Sequence, residues 1–369
     1  MIKELTVGEM FSGPGGIGIA LNRAKTDRHS FKHVWATDYD KDTCETYKRN
    51  VLKNSPDALS ICKDIRELDI KSLPIVDGLL FGFPCNDFSR IGQSKGFNGK
   101  YGQLYKYGVE YLNYANPMFF LAENVSGLRT ANEGEAFKTI LHDLNHAGKH
   151  GYTITVHLYK FEEYGVPQAR HRYILVGIRG DLGKSFWVPA PLEVTRTAKE
   201  ALEGIPEWAT NNEPTKQTET VTRRLSYIKE GENLWQAEHR MPEELRIKKK
   251  GVRYSSTYRR LHSQRPSYTV TGSGGGGCLM YHYSENRSLT NRERARLQTF
   301  PDDFVFVGGK ESVRKQIGMA VPCLGAQIIL KALLWSLEGR GYPVDPPSVG
   351  MFRSKSINAN FGERNGRHD

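Results

Sequence analysis

The sequence predicts an α/β fold: a doubly wound, mostly parallel sheet of Rossmann-like type, with a small, mainly irregular and β second domain. Three observations predict it. Apolar strand-like runs alternate with helix-like runs from Leu5 to Ile178, the pattern of βαβ units. A glycine-dense turn follows the first of these strands. After about Pro189 the periodicity weakens and positive charge accumulates. The expected division is 1–184 for a catalytic and cofactor-binding domain and 185–264 for a recognition domain. A hinge and returning helices follow over 265–338, and 339–369 is expected to be a disordered tail rich in Gly, Pro, Ser and Asn.

In order, Leu5 to Phe11 is an apolar strand, followed by Gly13, Gly15, Gly16 and Gly18 and a helix-like run from Ile19 to Lys25. Such a turn lets backbone approach a ligand, and the helix N-terminus after it favours negative charge. His33 to Thr37 is the next strand and ends at Asp38, twenty residues beyond Gly18. Gly13, Gly15, Gly18 and Asp38 thus satisfy a dinucleotide fingerprint, in which the acid holds a ribose. On this turn alone, a nicotinamide-dependent oxidoreductase is a rival reading.

Lys41 to Asn50 reads as a helix, and Ser60 to Ile65 as a strand ending in Asp64-Ile65. The apolar run from Ile75 is a buried strand stopped by Pro84, so Cys85 sits at its C-terminal mouth, where open sheets bind ligands. The polar, glycine-bearing residues 86–103 have the composition of a closing loop. A helix over Leu104 to Asn116 and a strand closing on Glu123-Asn124-Val125 follow. Glu135 to Gly148 is then helical, and Tyr152 to Phe161 and Tyr173 to Ile178 are strands. Between these two strands, Arg170 and Arg172 stand at i and i+2, on one side of an extended chain.

The chain of 369 residues is 38% hydrophobic, enough for a core, and its formal charge is +11. Between Arg223 and Arg265 stand twelve Lys or Arg against five acids, interleaved with Tyr227, Trp235, Tyr254 and Tyr258. Clustered cations with aromatics suit a nucleic-acid face. The five cysteines show no CxxC pairing, which argues against a disulfide framework or a zinc site and for a reducing compartment. No signal peptide or membrane span is expected. The C-terminal part carries a charged helix from Asn291, a short helix over Val313 to Met319 and a longer apolar one over Pro322 to Leu337.

Taken in order, these segments resemble the DNA (cytosine-5)-methyltransferase family. The resemblance is carried by Phe11 to Gly16, Asp38, Asp64-Ile65, Gly82-Phe83-Pro84-Cys85 and Glu123-Asn124-Val125. Further on, Gln168 to Arg172, Arg265 to Val270 and Gly318 to Pro322 continue it. The match covers nearly the whole chain, and its length is that of the single-specificity bacterial restriction-modification type. The resemblance implies that Cys85 attacks C6 of a flipped cytosine and that Glu123 meets N3. It also implies that Arg172 holds O2, while Arg170 orients Glu123 or a phosphate. A thiolate suits the attack, and a base inside a duplex must be extruded to be reached. S-adenosylmethionine is the implied cofactor and S-adenosylhomocysteine the product, with no metal. Phe11, Gly13, Gly15, Gly16, Ile17, Asp38, Tyr39, Asp64, Ile65, Pro84, Ala320 and Val321 are the implied cofactor residues. Double-stranded DNA is the implied partner, with Ser89, Lys248, Lys249, Lys250, Arg259 and Arg260 as contacts. A cognate restriction endonuclease acting on the same site, and a cytoplasmic, nucleoid-associated location, complete the expectation. Met319 stands where the family usually has asparagine, which leaves a catalytically impaired DNA-binding homologue as the alternative.

Overall fold

The computed structural model describes residues 2–83, 103–125, 134–247, 253–272 and 279–354. The central sheet begins with β1 (Lys3–Met10), which is paired in parallel with β2 (His29–Asp38). The helix α1 (Gly16–Arg23) links them. The register of β1 on β2 shifts at Val7/Gly8. Glycine is required there, because a Cβ on Gly8 would stand 2.2 Å from the Trp35 indole. The next helix, α2 (Lys41–Asn50), is capped by Asp40, which accepts from the Thr43 N–H at 3.0 Å. Lys48 and Arg49 in its last turn complement its dipole. Beyond it β3 (Leu59–Cys62) forms one sheet edge beside β2.

On the other side of β1 lies β4 (Gly78–Gly82), then β5 (Phe119–Val125), both parallel to it. β4 is buried between two neighbours, which is why its sequence is a continuous apolar run rather than an alternation. The helices α3 (Tyr105–Ala115) and α4 (Glu135–His146) flank β5 in the chain. Then come β6 (Tyr152–Lys160), the short β7 (Gln168–Ala169) and β8 (His171–Arg179). β8 inserts antiparallel between β5 and β6. The sheet order is therefore 12-6-8-5-4-1-2-3, once the last strand, described below, is added. Six of its eight strands point one way, which matches the predicted class.

Both faces are covered. Tyr111, Leu112, Ile140 and Leu144 of α3 and α4 pack on one face, around Phe81 and Phe120. Ile17, Ala20 and Leu21 of α1 cover the other, together with Leu330, Leu333 and Leu334 from a late helix. Next come β9 (Val188–Pro189), α5 (Ala198–Leu202), α6 (Glu219–Ser226), α7 (Leu234–Ala237) and β10 (Ser267–Tyr268). Leu225, Ile228, Leu234, Met241, Leu245, Tyr258 and Tyr281 form a small core of their own in this region. Three helices follow: α8 (Asn291–Leu297), α9 (Lys310–Met319) and α10 (Cys323–Glu338). The stretch Lys310–Glu338 is long and apolar enough for a membrane span by composition, but 72% of that window is buried. Most of it packs against protein.

The tail departs from expectation. Residues beyond Gly339 form β11 (Val344–Asp345), antiparallel to β9, and β12 (Gly350–Phe352), which extends the sheet beside β6. The buried Asn145 amide holds this edge by donating to the carbonyls of Tyr152 (2.8 Å), Phe352 (3.3 Å) and Arg353 (3.2 Å). Gly- and Pro-rich composition hid a segment ordered by pairing with a distant strand.

Candidate active site

Strand ends converge on one side of the sheet. β1 runs into the turn Phe11 to Gly15, where Phe11 (φ 54), Gly13 (φ 56) and Gly15 (φ 105) are all left-handed. Phe11 packs on the core that contains Ile65. A Cβ on Gly16 would stand 2.2 Å from the Val321 carbonyl, so the glycine lets the start of α1 meet the segment after α9. Ile17, Ala320 and Val321 are buried beside it.

At the end of β2, Asp38 accepts the Gly13 N–H on Oδ2 at 3.0 Å and the Asp40 N–H on Oδ1 at 3.1 Å. Burial pushes its carboxyl up, against the opposing pull of those N–H donors. Tyr39 is 62% exposed, beside Lys315, whose ammonium lies 5.7 Å from the ring centroid. Asp64 caps a short turn by accepting the Arg66 N–H at 3.0 Å, and Ile65 is buried. A Cβ on Gly13 would meet nothing within 4 Å, so among the described residues open space lies over the turn. That is a fitting cradle for a nucleoside.

The second cluster lies at the ends of β4 and β5. Glu123 pairs with Gly82 across the two strands, and the Arg172 Nε stands 3.0 Å from Glu123 Oε1. The pair is 13% and 15% exposed, open to one side. Arg172 also donates to its neighbour's carbonyl, His171 O, at 2.7 Å. The buried Asn124 donates to Phe83 O at 3.0 Å and so fixes the residue where β4 leads toward Pro84 and Cys85. Pro84, Cys85, Ser89 and the expected closing loop up to residue 102 lie outside the described residues, as do Lys248, Lys249 and Lys250.

Two of the expected arginines are buried and donate to main-chain carbonyls. Arg170 is 2% exposed and donates to the carbonyls of Val270 and Gly318, each at 3.1 Å. The guanidinium paired with Glu123 is that of Arg172, and Arg170 ties β8 to the chain after β10 and to α9. Arg260, expected on the DNA face, is 3% exposed. It donates to Leu225 O, His282 O and Glu285 O at 2.8, 2.8 and 2.6 Å, and also bonds Asn286. The reason is general to this region. A small core leaves loop carbonyls buried, and guanidinium forks satisfy them. Arg224 and Arg246 do the same for Leu245 O and Met241 O. Arg259 is partly exposed, with its guanidinium 4.6 Å from the Tyr268 ring centroid.

Sequence reasoning missed Asn124 and Gln168 as positioning residues. Gln168 is fully buried, accepts from Val270 N at 2.7 Å and donates to Gln298 at 2.8 Å. Gln298 in turn donates to Ile317 O and Ala320 O. An amide inside a quoted motif was the available signal. Met319 is 47% exposed, so its replacement of asparagine leaves no buried side-chain site behind. An open hollow of about 750 Å³, lined by Lys71, Lys106, Glu110 and Asp143, contains none of the predicted site residues.

A parallel sheet with a nucleoside cradle and an acid–guanidinium pair at neighbouring strand ends defines an α/β enzyme that works at its strand mouths. The family model described as C-5 cytosine-specific DNA methylase matches residues 5–335. The chain belongs to that family, and it is a DNA (cytosine-5-)-methyltransferase. It is 55% identical to the Type II methyltransferase M.BbvI of Brevibacillus brevis, over 91% of this chain and 92% of that protein. It is 39% identical to M.NgoFVII of Neisseria gonorrhoeae, over 88% and 85%. A solved prophage-encoded DNA modification methyltransferase (E. coli) superposes with TM-score 0.70 at 24% identity, over 90% of this chain and 99% of that one. That likeness speaks to the fold. Membership brings S-adenosylmethionine as methyl donor and DNA as substrate.

Proposed function

We propose that the two clusters are the two halves of one transfer site, with the cofactor in the Phe11–Asp38 cradle and the flipped cytosine against Glu123 and Arg172. The observation that carries this is the Arg172–Glu123 pair at 3.0 Å on the strand mouth next to the one that leads to Cys85. An acid and a guanidinium held side by side match the N3 and O2 edge of cytosine. Cys85 then adds to C6, Glu123 hydrogen-bonds or protonates N3, and Arg172 holds O2, so the ring becomes nucleophilic at C5. Once C5 carries the methyl group, loss of the C5 proton expels the Cys85 thiolate and restores the ring. S-adenosylmethionine supplies the methyl group. Asp38 accepts from the ribose hydroxyls, Phe11, Ile65 and Tyr39 border the adenine, and Gly13 to Ile17 with Ala320 and Val321 shape the remaining wall. Asp64 and Pro84 complete the proposed cofactor set.

The small basic region over 185–264 is read as the part that recognises a specific duplex sequence. Lys248, Lys249, Lys250 and Arg259 are its proposed DNA contacts, joined by Ser89 of the catalytic domain. A restriction endonuclease with the same site would be the functional counterpart, in a cytoplasm where the substrate is chromosomal DNA. Duplex carrying 5-fluorocytosine at the target tests the covalent step. The parent protein is expected to form an adduct stable to denaturation, and Cys85→Ala to form none while still binding DNA. An adduct in the alanine variant removes Cys85 from the mechanism.

A further inference from the structure

Beneath the glycine turn lie buried polar groups that the transfer chemistry does not use. Glu9 on β1, Tyr47 on α2 and His33 on β2 are 1%, 1% and 2% exposed. Tyr47 Oη lies 2.6 Å from Glu9 Oε2 and 3.3 Å from His33 Nδ1, and His33 Nε2 lies 3.3 Å from the Gly18 carbonyl. The Tyr47 ring is also the floor of the turn. A Cβ on Gly15 would stand 3.2 Å from its Cδ2, and one on Gly18 would stand 2.9 Å from its hydroxyl. A line of hydrogen-bonding groups thus runs from the sheet to the first turn of α1.

One assignment of protons, with His33 neutral, leaves every group on that line paired. The Gly18 carbonyl can only accept, so His33 carries its hydrogen on Nε2 and presents Nδ1 as an acceptor. The donor within reach of Nδ1 is the Tyr47 hydroxyl. A phenol has one hydrogen, which can go to Glu9 Oε2 at 2.6 Å or to His33 Nδ1 at 3.3 Å. When it goes to His33 the phenol oxygen accepts from Glu9, and a carboxyl that donates is protonated. If Glu9 ionises, Tyr47 turns to the carboxylate and Nδ1 is left buried without a donor. The charged and titratable neighbours agree. β2 presents His33 and the acid Asp38, α2 presents Tyr47, and the paired β4 residue is Leu80. Asp38 opposes a second negative charge.

We propose that Glu9 is an uncharged, protonated carboxyl at neutral pH which, through Tyr47 and His33, positions the glycine turn against the cofactor. The proposal rests on the reading of that turn as the S-adenosylmethionine site. Burial pushes the Glu9 carboxyl up to about 8 and His33 down to about 4, which favours that assignment. Both groups are therefore neutral together near pH 7. Glu9 and Tyr47 touch no reacting atom; they act through the turn.

Calorimetric titration of S-adenosylmethionine into the whole protein from pH 7 to pH 9 tests this, with wild type, Glu9→Gln and Tyr47→Phe compared. Glutamine keeps a donor for the Tyr47 oxygen and cannot ionise. Wild-type affinity is expected to fall about tenfold more than that of Glu9→Gln over this range, the scale of one hydrogen bond. The cofactor's own amino group titrates near 8, but it does so in both proteins and cancels in the comparison. Tyr47→Phe should start weak and lack the Glu9-dependent fall. Parallel profiles for wild type and Glu9→Gln overturn the proposal. An Asp38→Ala protein that retains full affinity instead overturns the cofactor reading beneath it. Infrared difference spectra of wild type need no variant of Glu9 to fold. A carboxylic-acid C=O band present at pH 7, lost by pH 9 and displaced in Tyr47→Phe is expected, and its absence at pH 7 sinks the idea.

Discussion

Arg172 and Glu123 reach each other from two different strands, β8 and β5, which run antiparallel and pair Val125 with Arg172 and Glu123 with Ile174. Their 3.0 Å contact is therefore set by sheet register rather than by a loop. Few charged pairs are placed so rigidly. Removing the guanidinium leaves a mostly buried carboxylate without its partner. Arg172→Ala should lower stability by about 1–3 kcal/mol and methyl transfer by at least about a hundredfold. Arg172→Lys should recover the stability and little of the rate, since one ammonium cannot reproduce the fork. Denaturant melts and single-turnover assays read the two effects separately.

Asp38 holds the glycine turn and faces the open space above it. Asp38→Ala should weaken S-adenosylmethionine binding by about 1.5–3 kcal/mol, the scale of hydrogen bonds to a charged group. Calorimetry checks it. Unchanged affinity would place the cofactor elsewhere.

Stability should depend on pH with a sign that two buried groups dictate. His33 titrates at about 4 in the fold against an ordinary 6.5, so it makes stability rise with pH across that interval. Glu9 titrates at about 8 against an ordinary 4.5, so its contribution is complete below 4.5 and is lost as pH rises through 8. Between 4.5 and 6.5 the two slopes oppose each other. From 6.5 to 8 Glu9 acts alone of the pair, and stability should fall by up to about 1.4 kcal/mol per pH unit. Glu9→Gln should flatten that limb in scanning calorimetry; an unchanged slope would assign it to other groups.

The basic region should divide into two kinds of cation. Neutralising Lys248, Lys249 and Lys250 together is expected to weaken cognate and unrelated DNA alike and to flatten the salt dependence, because phosphate contacts release counterions. Arg260→Ala should instead lower stability by about 2–4 kcal/mol through carbonyls left without donors. Limited proteolysis within 220–260 should then accelerate. Loss of DNA binding without any change in protease resistance would return Arg260 to the DNA face.

How much of this was legible in advance follows from the range of each cause. The turn at Gly13 to Gly18, the acid Asp38 and the strands around them are written locally, in glycine spacing and apolar period. Sequence therefore shows them. Glu123 and Arg172 were nameable by resemblance, but their contact depends on β8 inserting between β5 and β6, which periodicity does not encode. Arg170 and Arg260 count as surface charge in any composition. Only the fold reveals that main-chain carbonyls absorb them. The same holds for β12, whose order comes from Asn145, a residue far from it in the chain.

The close approach of Gly16 to Val321 carries one more consequence, for the life of the chain in the cell. The glycine turn is synthesised well before Ala320 and Val321, the segment that Gly16 packs against. A nascent chain therefore cannot complete the cradle, and one truncated before α9 never will.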